Sequence, residues 1–355
     1  MSNCYNCSFI PELKEQGTII FYEKGEGLFP LLENKIKNLT SIRKSHELLI
    51  CSYQSLEQLT KIVDTLHDEF VEDNLASLYG TWARESDQLE EVTYFPRMSP
   101  FSQLYSRIKN NSYFTIINKG LFTQHIQPII SLQSSSLFGY EFLLRPNSED
   151  AFFSPGPLFH FSQESGLQSL LDSQARMKSI EVGSKLLEKG TKRFINFLPS
   201  SIYDPNHCLK STFTAVEKYN VEPEDLIFEV VETEKIKDIT HLKKIFQAYQ
   251  KHGINVALDD LGAGYATLDV LRKLKPNYAK IDRALIDYCD TDELKQKKIA
   301  DIIQIANEYN IVLLAEGIER KEELLYCKEQ GIDLAQGYYI GKPQPKPVTD
   351  LGHLI

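Results

Sequence analysis

Two features are absent from this chain of 355 residues, and each absence excludes a class of protein. No apolar run reaches the roughly 20 residues that a membrane-spanning helix needs, and the polar start MSNCYNCSFIPELKEQG lacks the apolar core of a secretion signal. Basic residues are not in excess: 39 Lys and Arg face 49 Asp and Glu, which gives a formal net charge of -10. Non-specific binding to polymeric nucleic acid depends on clustered positive charge and is therefore not expected. We expect a soluble, cytoplasmic protein without membrane insertion.

Cysteine and histidine are also sparse. The six cysteines are too dispersed for the disulfide framework of a small secreted domain, so reduced thiols are expected. Cys4 and Cys7 have the C-x-x-C spacing of half a zinc site, but no second pair completes it, and the sequence leaves a metal role for them open. The eight histidines never approach the spacing of metal ligands. A zinc centre is therefore not indicated.

The composition that is present, 42% hydrophobic and 25% charged residues, is that of a globular protein with a sizeable core. The first part of the chain alternates between strand and helix patterns in GTIIFY, LFPLLENKIKNL, ELLICSY and SLEQLTKIVDTLHDEFV, which predicts a small α/β domain. An acidic stretch, ESDQLEEV, and the proline-containing FPRMSPFSQL follow near residues 86–102 and are typical of a connection. We predict two domains, residues 1–100 and residues 101–355.

From about residue 110, apolar strand patterns alternate with helical patterns, as in a mostly parallel sheet. About eight strands over roughly 245 residues is the scale of a (β/α)8 barrel. The first two strands, HIQPIISL and LFGYEFLL, are joined only by QSSS, which predicts a hairpin. The predicted fold is therefore α/β: a modified TIM-like (β/α)8 barrel with one antiparallel strand, plus the small N-terminal α/β domain.

Polar side chains stand at the ends of the predicted barrel strands, where the active sites of such barrels lie. Burying charges is costly unless they are paired, and only one of these residues is cationic, so the surplus negative charge calls for cations from solution. Carboxylate and amide oxygens suit Mg2+ or Mn2+ better than zinc. The residues are Glu141, Asn196, Glu229, Asp259, Asp260, Lys280, Glu316 and Gln336.

The stretch VALDDLGAGYATL places two adjacent carboxylates, Asp259 and Asp260, before a glycine-rich turn. Neighbouring side chains on a strand point to opposite faces, so both reach one site only if Asp260 lies where the strand bends into the loop, and Gly262 and Gly264 are predicted to supply that bend. The alternative is a dinucleotide-binding turn, because GAGYAT begins like G-x-G-x-x-G; its third glycine is replaced by Thr267. A carboxylate pair shared by two ions is the arrangement that hydrolyses phosphodiesters, and we favour this interpretation.

From about residue 110 onward the chain resembles the EAL domain, the family of cyclic di-GMP phosphodiesterases. The resemblance rests on ordered motifs: QPI, GYEFLLR, FINFLP, FEVVET, ALDDLGAGYATL, AKID, AEGIE and QGYYIGKP. It implies two bound Mg2+ or Mn2+ ions and hydrolysis of cyclic di-GMP to linear pGpG in bacterial signalling. The alternative is a catalytically inactive module that binds cyclic di-GMP or a protein partner through the same barrel.

The resemblance also implies a role for each matching residue. Glu141, Asn196, Glu229 and Asp259 correspond to ligands of the first metal, with Asp259 bridging to a second ion held by Asp260. Glu316 corresponds to the general base, Lys280 orients water and offsets charge, and Gln336 supports the site. Gln127 and Arg145 correspond to positions that hold the dinucleotide, and Glu232 to the residue that pins the loop after Asp260. The structural alternative is that Glu141 and Glu229 only form ion pairs with Arg145 and Lys280.

Two further expectations accompany the resemblance. The signature Glu-Ala-Leu reads Glu141-Phe142-Leu143 here, and strand alternation predicts that Phe142 points away from the side bearing Glu141. The family further implies a homodimer formed through the barrel. The N-terminal domain carries no motif that reveals a ligand, and we expect it to regulate the barrel or to mediate assembly.

Overall fold

The structure, a computed structural model, describes residues 10–25, 27–45, 47–70, 75–83, 95–230, 238–262, 266–348 and 351. The chain forms two compact units: Met1–Phe122 together with Pro146–Leu171, and Thr123–Arg145 together with Asp172–Ile355. The division at residue 100 stays a prediction, because much of the predicted connection lies outside the described residues. Among the described helices, none is long and apolar enough to cross a membrane.

The first unit contains a five-stranded antiparallel sheet in the order β2-β3-β1-β4-β5. Its strands are β1 (Gly17–Glu23), β2 (Ser41–Ser45), β3 (Leu48–Tyr53), β4 (Leu78–Ala83) and β5 (Ser99–Pro100). Its helices are α1 (Phe29–Ile36), α2 (Leu56–Glu69), α3 (Phe101–Lys109), α4 (Asn111–Lys119) and α5 (Pro155–Glu164). The order β1-α1-β2-β3-α2-β4 with this pairing is the ferredoxin-like, split βαβ arrangement. The four predicted elements are all present, and the structure adds the strands β2, β4 and β5.

Apolar periodicity explains how the helices of this unit pack. Helix α2 buries Leu59, Ile62, Val63 and Leu66, which recur at helical spacing on one face, and the Ser55 side chain caps its start. Helix α3 lies close to the sheet at Gly80, where a β-carbon would come within 2.6 Å of Leu104 Cδ2. A small residue is needed at that strand position because the helix side chain occupies the space.

Trp82 anchors the core of the first unit. Its side chain is 2% exposed, and its indole N–H donates a hydrogen bond of 2.9 Å to the carbonyl of Pro11. The Trp82 ring meets the ring of Phe114 edge to face, with centroids 5.3 Å apart. Both its polar and its apolar parts are therefore satisfied inside the protein, as a buried tryptophan requires.

The second unit is built on a closed eight-stranded barrel in the order β10-β11-β12-β13-β6-β7-β8-β9. The strands are β6 (Phe122–Ser131), β7 (Ser136–Pro146), β8 (Lys192–Phe197), β9 (Leu226–Val230), β10 (Asn255–Leu261), β11 (Tyr278–Ile281), β12 (Val312–Ala315) and β13 (Leu334–Gln336). Strands β7 to β13 are parallel to one another, and β6 pairs antiparallel with β13. The prediction of a TIM-like barrel with one antiparallel strand is confirmed.

Helices follow the parallel strands of the barrel. They are α6 (Gln168–Leu186), α7 (Pro205–Cys208), α8 (Lys210–Lys218), α9 (Ile239–Lys251), α10 (Leu268–Leu274), α11 (Arg283–Ile286), α12 (Glu293–Tyr309) and α13 (Lys321–Glu329). The main core cluster combines residues of the strands and the helices, such as Phe228 and Tyr249, whose rings stack with centroids 4.5 Å apart. The barrel wall is therefore buried on its outer face, as parallel strands require.

Candidate active site

A layer of polar side chains lies directly above an apolar layer inside the barrel. The apolar layer consists of Ile129, Phe194, Ile227, Ala257, Tyr278, Leu314 and Leu334. Side chains two residues apart on a strand share a face, so the next inward position on each parallel strand lies nearer its C-terminal end. Those positions hold Asn196, Glu229, Asp259, Lys280, Glu316 and Gln336, and the reversed strand β6 contributes Gln127. The period of the strands alone thus gathers these residues at one end of the barrel.

Lys280 is the centre of this polar layer, and its side chain is 1% exposed. Its Nζ lies 2.5 Å from Glu229 Oε2 and 2.6 Å from Glu316 Oε1. It also lies 3.1 Å from Asp259 Oδ1 and 3.7 Å from Glu141 Oε1. One ammonium group therefore faces four carboxylates, which leaves the cluster strongly negative.

The hydrogen bonds around Glu141 and Glu229 are incomplete. Glu141 accepts hydrogen bonds from Asn196 Nδ2 at 3.2 Å and from Gln336 Nε2 at 2.6 Å. Glu229 is completely buried, and its Oε1 has no hydrogen-bond partner within the part of the chain that the structure describes. The same holds for Gln336 Oε1. Buried oxygens without partners are costly, so these two are suited to a further ligand or ordered water.

Asp259 and Asp260 reach the same site because the chain bends at Asp260 itself. Asp260 has a φ of +54°, a left-handed conformation that Asp adopts more readily than most residues, and the pairing of β10 with β11 shifts between Leu258 and Leu261. Carboxylate oxygens of Asp259, Asp260 and Glu316 lie within 4.8 Å of one another. The bend was predicted at Gly262 and Gly264. The structure places it earlier, Gly262 has a φ of +99°, and Gly264 lies outside the described residues.

Burial and charge shift the pKa values of this cluster in opposite senses. Burial raises the pKa of Glu229 and of Glu316 well above the ordinary value, against the opposing effect of Lys280. The pKa of Asp259 is raised for the same reason. Burial alone would lower the pKa of Lys280, but the surrounding carboxylates outweigh it and raise that pKa well above its usual range. The amine is therefore cationic, whereas these carboxyl groups bind protons more readily than ordinary acids do unless further positive charge is present.

A cavity of about 250 Å3 opens beside this cluster. Its lining includes the predicted residues Gln127, Glu141, Glu316 and Gln336, together with Arg283, Gly317, Glu319, Gly337 and Tyr338, which were not predicted. Arg283 directly follows the motif AKID, whereas the other four lie inside the motifs AEGIE and QGYYIGKP, so the motifs themselves could have indicated them. The cavity thus combines acidic groups with one exposed guanidinium and one exposed aromatic ring.

A family model described as the EAL domain matches residues 111–343. The chain belongs to the EAL domain family. The Escherichia coli K12 protein named "Probable cyclic di-GMP phosphodiesterase PdeG" is 31% identical over 238 residues, which cover 64% of this chain and 45% of PdeG. "Cyclic di-GMP phosphodiesterase PdeF" of the same organism is 28% identical over 273 residues, 75% of this chain and 35% of PdeF. The chain spans less than half the length of these two relatives.

Solved structures of EAL proteins are also similar. A standalone EAL protein from Vibrio cholerae O395, in its c-di-GMP-bound form, is 32% identical with a TM-score of 0.59 and covers 65% of this chain and 97% of that chain. BlrP1 of Klebsiella pneumoniae, in a complex with manganese and cyclic di-GMP, covers 93% of this chain and 96% of its own at a TM-score of 0.58. At 18% identity BlrP1 shows a likeness of fold alone. Because β10 belongs to a closed EAL barrel, the dinucleotide-binding alternative is wrong.

The two residues predicted to hold the dinucleotide are placed differently. Gln127 belongs to the polar layer and lines the cavity, and its Nε2 donates to the carbonyl of Gly341 at 3.0 Å. Arg145 is outside the set of described residues that line the cavity, and its Nη1 donates to the carbonyl of Leu144 at 2.7 Å. The predicted ion pair of Glu229 with Lys280 is present, and Glu141 contacts Lys280 rather than Arg145 among the described ion pairs.

Three residues named from the sequence cannot be placed. Glu232, Cys4 and Cys7 all lie outside the described residues. The role of Glu232 in pinning the EAL loop after Asp260 therefore stays a prediction, and metal binding at the two cysteines stays open.

Phe142, the residue in place of the Ala of the EAL signature, points away from the site. Its side chain is 3% exposed and belongs to the core cluster that lies between the barrel wall and the helices. A β-carbon added at Gly183 of α6 would come within 3.0 Å of Phe142 Cζ, so the ring occupies the space that this glycine leaves. The phenylalanine therefore packs against a helix, on the opposite face of β7 from Glu141.

Proposed function

We propose that this chain is a metal-dependent phosphodiesterase that hydrolyses cyclic di-GMP to linear pGpG in bacterial second-messenger signalling. The observation that carries the proposal is the cluster of carboxylates around Lys280, at the C-terminal end of an EAL barrel. The printed names of PdeG and PdeF, and the cyclic di-GMP in the Vibrio cholerae structure, support this choice of substrate.

The residues of the site are suited to two divalent cations. Four carboxylates face the ammonium group of Lys280, and the carboxylate of Asp260 lies close to those of Asp259 and Glu316. The buried Glu229 Oε1 has no hydrogen-bond partner among the described residues. Oxygen ligands of this kind prefer Mg2+ or Mn2+. When bound, such ions activate water and neutralise charge on the phosphate. We propose that the ligands of the first ion are Glu141, Asn196, Glu229 and Asp259, and that Asp259 and Asp260 hold the second.

The other side chains of the site would transfer protons, balance charge or bind the nucleotide. Glu316 lies beside Asp259 and Asp260 and would accept the proton of the attacking water. Lys280 offsets the negative charge and keeps four carboxylates together, while Gln336 orients Glu141 by donating to it. We assign Gln127 and Arg145 to nucleotide binding, in which a guanidinium suits a phosphate oxygen pair.

The proposal is tested by incubating the purified chain with cyclic di-GMP and Mg2+ or Mn2+ and separating the products by chromatography. We expect pGpG, no conversion in EDTA, and a loss of kcat of at least ~100-fold in Glu316→Gln with nucleotide binding kept. Glu308→Gln, at an exposed position of α12, is the matched control and should retain the wild-type kcat. Tight binding without conversion by the wild-type chain would instead support the alternative, a cyclic di-GMP receptor.

We also propose that residues 1–100 form a separate domain that regulates the barrel or mediates its assembly as a homodimer, in the cytoplasm. The separate antiparallel sheet of the first unit supports this division. Removing residues 1–100 should change either the rate of hydrolysis or the sedimentation coefficient. Because α3 packs on this sheet at Gly80, a second truncation that begins at residue 123 controls for exposed apolar surface. Unchanged activity and mass in both truncated chains would contradict the proposal.

A further inference from the structure

Glu323, on helix α13, is a buried carboxylate that the proposed chemistry does not use. It is 0% exposed and accepts hydrogen bonds from the backbone N–H groups of Tyr288 and Glu319 at 3.0 Å and of Arg320 at 3.1 Å. Arg320 Nε donates a fourth at 2.9 Å. Burial alone would raise the pKa of Glu323, but these donors outweigh it and the pKa is lowered. The carboxylate is therefore ionised and its oxygens are well satisfied.

These donors come from two different stretches of chain at the active-site end of the barrel. The β11 segment, residues 282–292, follows the strand that carries Lys280, and the β12 loop, residues 316–320, begins at Glu316. Tyr288 belongs to the first stretch, and Glu319 and Arg320 belong to the second. One buried charge thus joins the β12 loop to the β11 segment.

Arg320 makes a second connection between the same stretches. Its Nη2 donates to the carboxylate of Asp290, and its guanidinium lies over the ring of Tyr288, 4.1 Å from the centroid. Tyr288 has a φ of +54°, which is unusual for a bulky residue without surrounding support. The bond to Glu323 and the contact with Arg320 hold the tyrosine in this conformation.

The β12 loop is also fitted closely to the β11 segment beside the cavity. Arg283 Nη2 pairs with Glu319 Oε1 at 2.8 Å. A β-carbon at Gly317, whose φ is +69°, would come within 2.5 Å of Arg283 Cγ. The β12 loop and the β11 segment are therefore in contact at the residue next to Glu316. Any displacement of the loop would therefore move the carboxylate of Glu316.

We propose that Glu323 is a positioning residue for Glu316. By fixing the β12 loop against the β11 segment, it keeps the Glu316 carboxylate beside Asp259 and Asp260. The inference rests on the proposed function, in which Glu316 accepts a proton from water. A misplacement of about 1 Å at a reacting group can lower a rate by ~100-fold, so a well-fixed loop matters to turnover more than to substrate binding.

The test compares Glu323→Gln with Glu322→Gln, a matched change at an exposed position of the same helix. In Glu323→Gln we expect faster hydrogen exchange in peptides that cover the β11 segment and the β12 loop. We also expect kcat to fall by roughly 10-fold to 100-fold while the Kd for cyclic di-GMP changes less than about twofold. Glu322→Gln should match the wild-type chain in all three measurements.

Two controls separate positioning from general loss of stability. Phe142→Leu weakens the outer face of the barrel wall, on the opposite face of β7 from Glu141, and should keep the wild-type kcat at a temperature where it is folded. If Glu323→Gln does not fold, Asp290→Asn, which removes only the ion pair between Asp290 and Arg320 and leaves Glu323 in place, should change exchange and kcat in the same direction.

Unchanged exchange in the variant would overturn the inference, and so would faster exchange with an unchanged kcat. A wild-type chain that does not hydrolyse cyclic di-GMP would overturn the proposed function instead. In that case the exchange measurement still decides whether Glu323 fixes the loop.

Discussion

Replacing Lys280 by Met tests whether the carboxylate cluster depends on positive charge. The substitution keeps the length and apolar stem of the side chain but removes the ammonium group that lies 2.5–3.7 Å from four carboxylates. These acids would then face one another inside the barrel without a counter-charge from the chain. In the absence of metal we expect a marked loss of stability.

The expected loss of stability in Lys280→Met is large because the four carboxylates around Lys280 are largely buried. Breaking a buried ion pair by removing one member costs about 3–5 kcal/mol, because the remaining charge is left uncompensated. For a unit of this size a change of 1 kcal/mol shifts Tm by about 2–4 °C, so the expected decrease lies between roughly 6 and 20 °C. The matched control is Lys273→Met, which removes an exposed pair with Asp269 and should cost less than about 1 kcal/mol.

Thermal unfolding in EDTA tests whether Lys280 stabilises the carboxylate cluster. Thermal unfolding in Mn2+ tests whether a cation neutralises the same carboxylates as Lys280. A ligand at 100 times its Kd stabilises a folded protein by about 2.7 kcal/mol. Because Lys280 and a cation neutralise the same carboxylates, Mn2+ should raise the Tm of Lys280→Met more than that of the wild-type chain. An unchanged Tm in EDTA would refute the charge argument, and an equal response to Mn2+ would refute the idea that cations and Lys280 share these partners.

Two further substitutions test the packing around the site. Phe142→Ala should lower the free energy of unfolding in denaturant by about 3–5 kcal/mol, because the ring fills the space over Gly183. We expect kcat to be unchanged where the variant is folded. A lower kcat without lost stability would show that the ring contributes to the site. Gly262→Ala should lose more than about 1 kcal/mol, since its φ is +99° and its β-carbon would lie 2.2 Å from Leu285 Cδ1. Gly190→Ala, with a φ of +89° and no atom within 4 Å, gives the backbone strain alone, and an equal loss in both variants would contradict the predicted clash.

Strand periodicity allowed most of the polar layer to be predicted. Each of Glu229, Asp259 and Lys280 lies within or directly after an apolar run, and the period of two places them on the same face as the apolar layer beneath. Strand β2 was missed because SIRKS is mostly polar and exposed. Strand β4 was missed because LYGTWA contains a glycine where α3 approaches. In both cases the pairing with neighbouring strands, rather than local preference, made the segment a strand.

Contacts between distant residues could not be predicted in the same way. Nothing local indicates that Asp260 turns into a left-handed conformation, or that Arg283 pairs with Glu319 beside the cavity. The N-cap of α13 is Arg320, which is not a usual capping residue, so the capping role of Glu323 was hidden as well.

The sequence by itself determined the class of barrel, its reversed first strand and the identity of the polar residues at the strand ends, because these depend on periodicity and on the order of motifs along the chain. Only the tertiary structure decided that one ammonium group faces four carboxylates, and that Glu323 reaches Tyr288 from 35 residues away. The physical reason is that periodicity fixes the face on which a side chain lies, whereas the closure of the barrel and the packing of its loops fix which side chains meet.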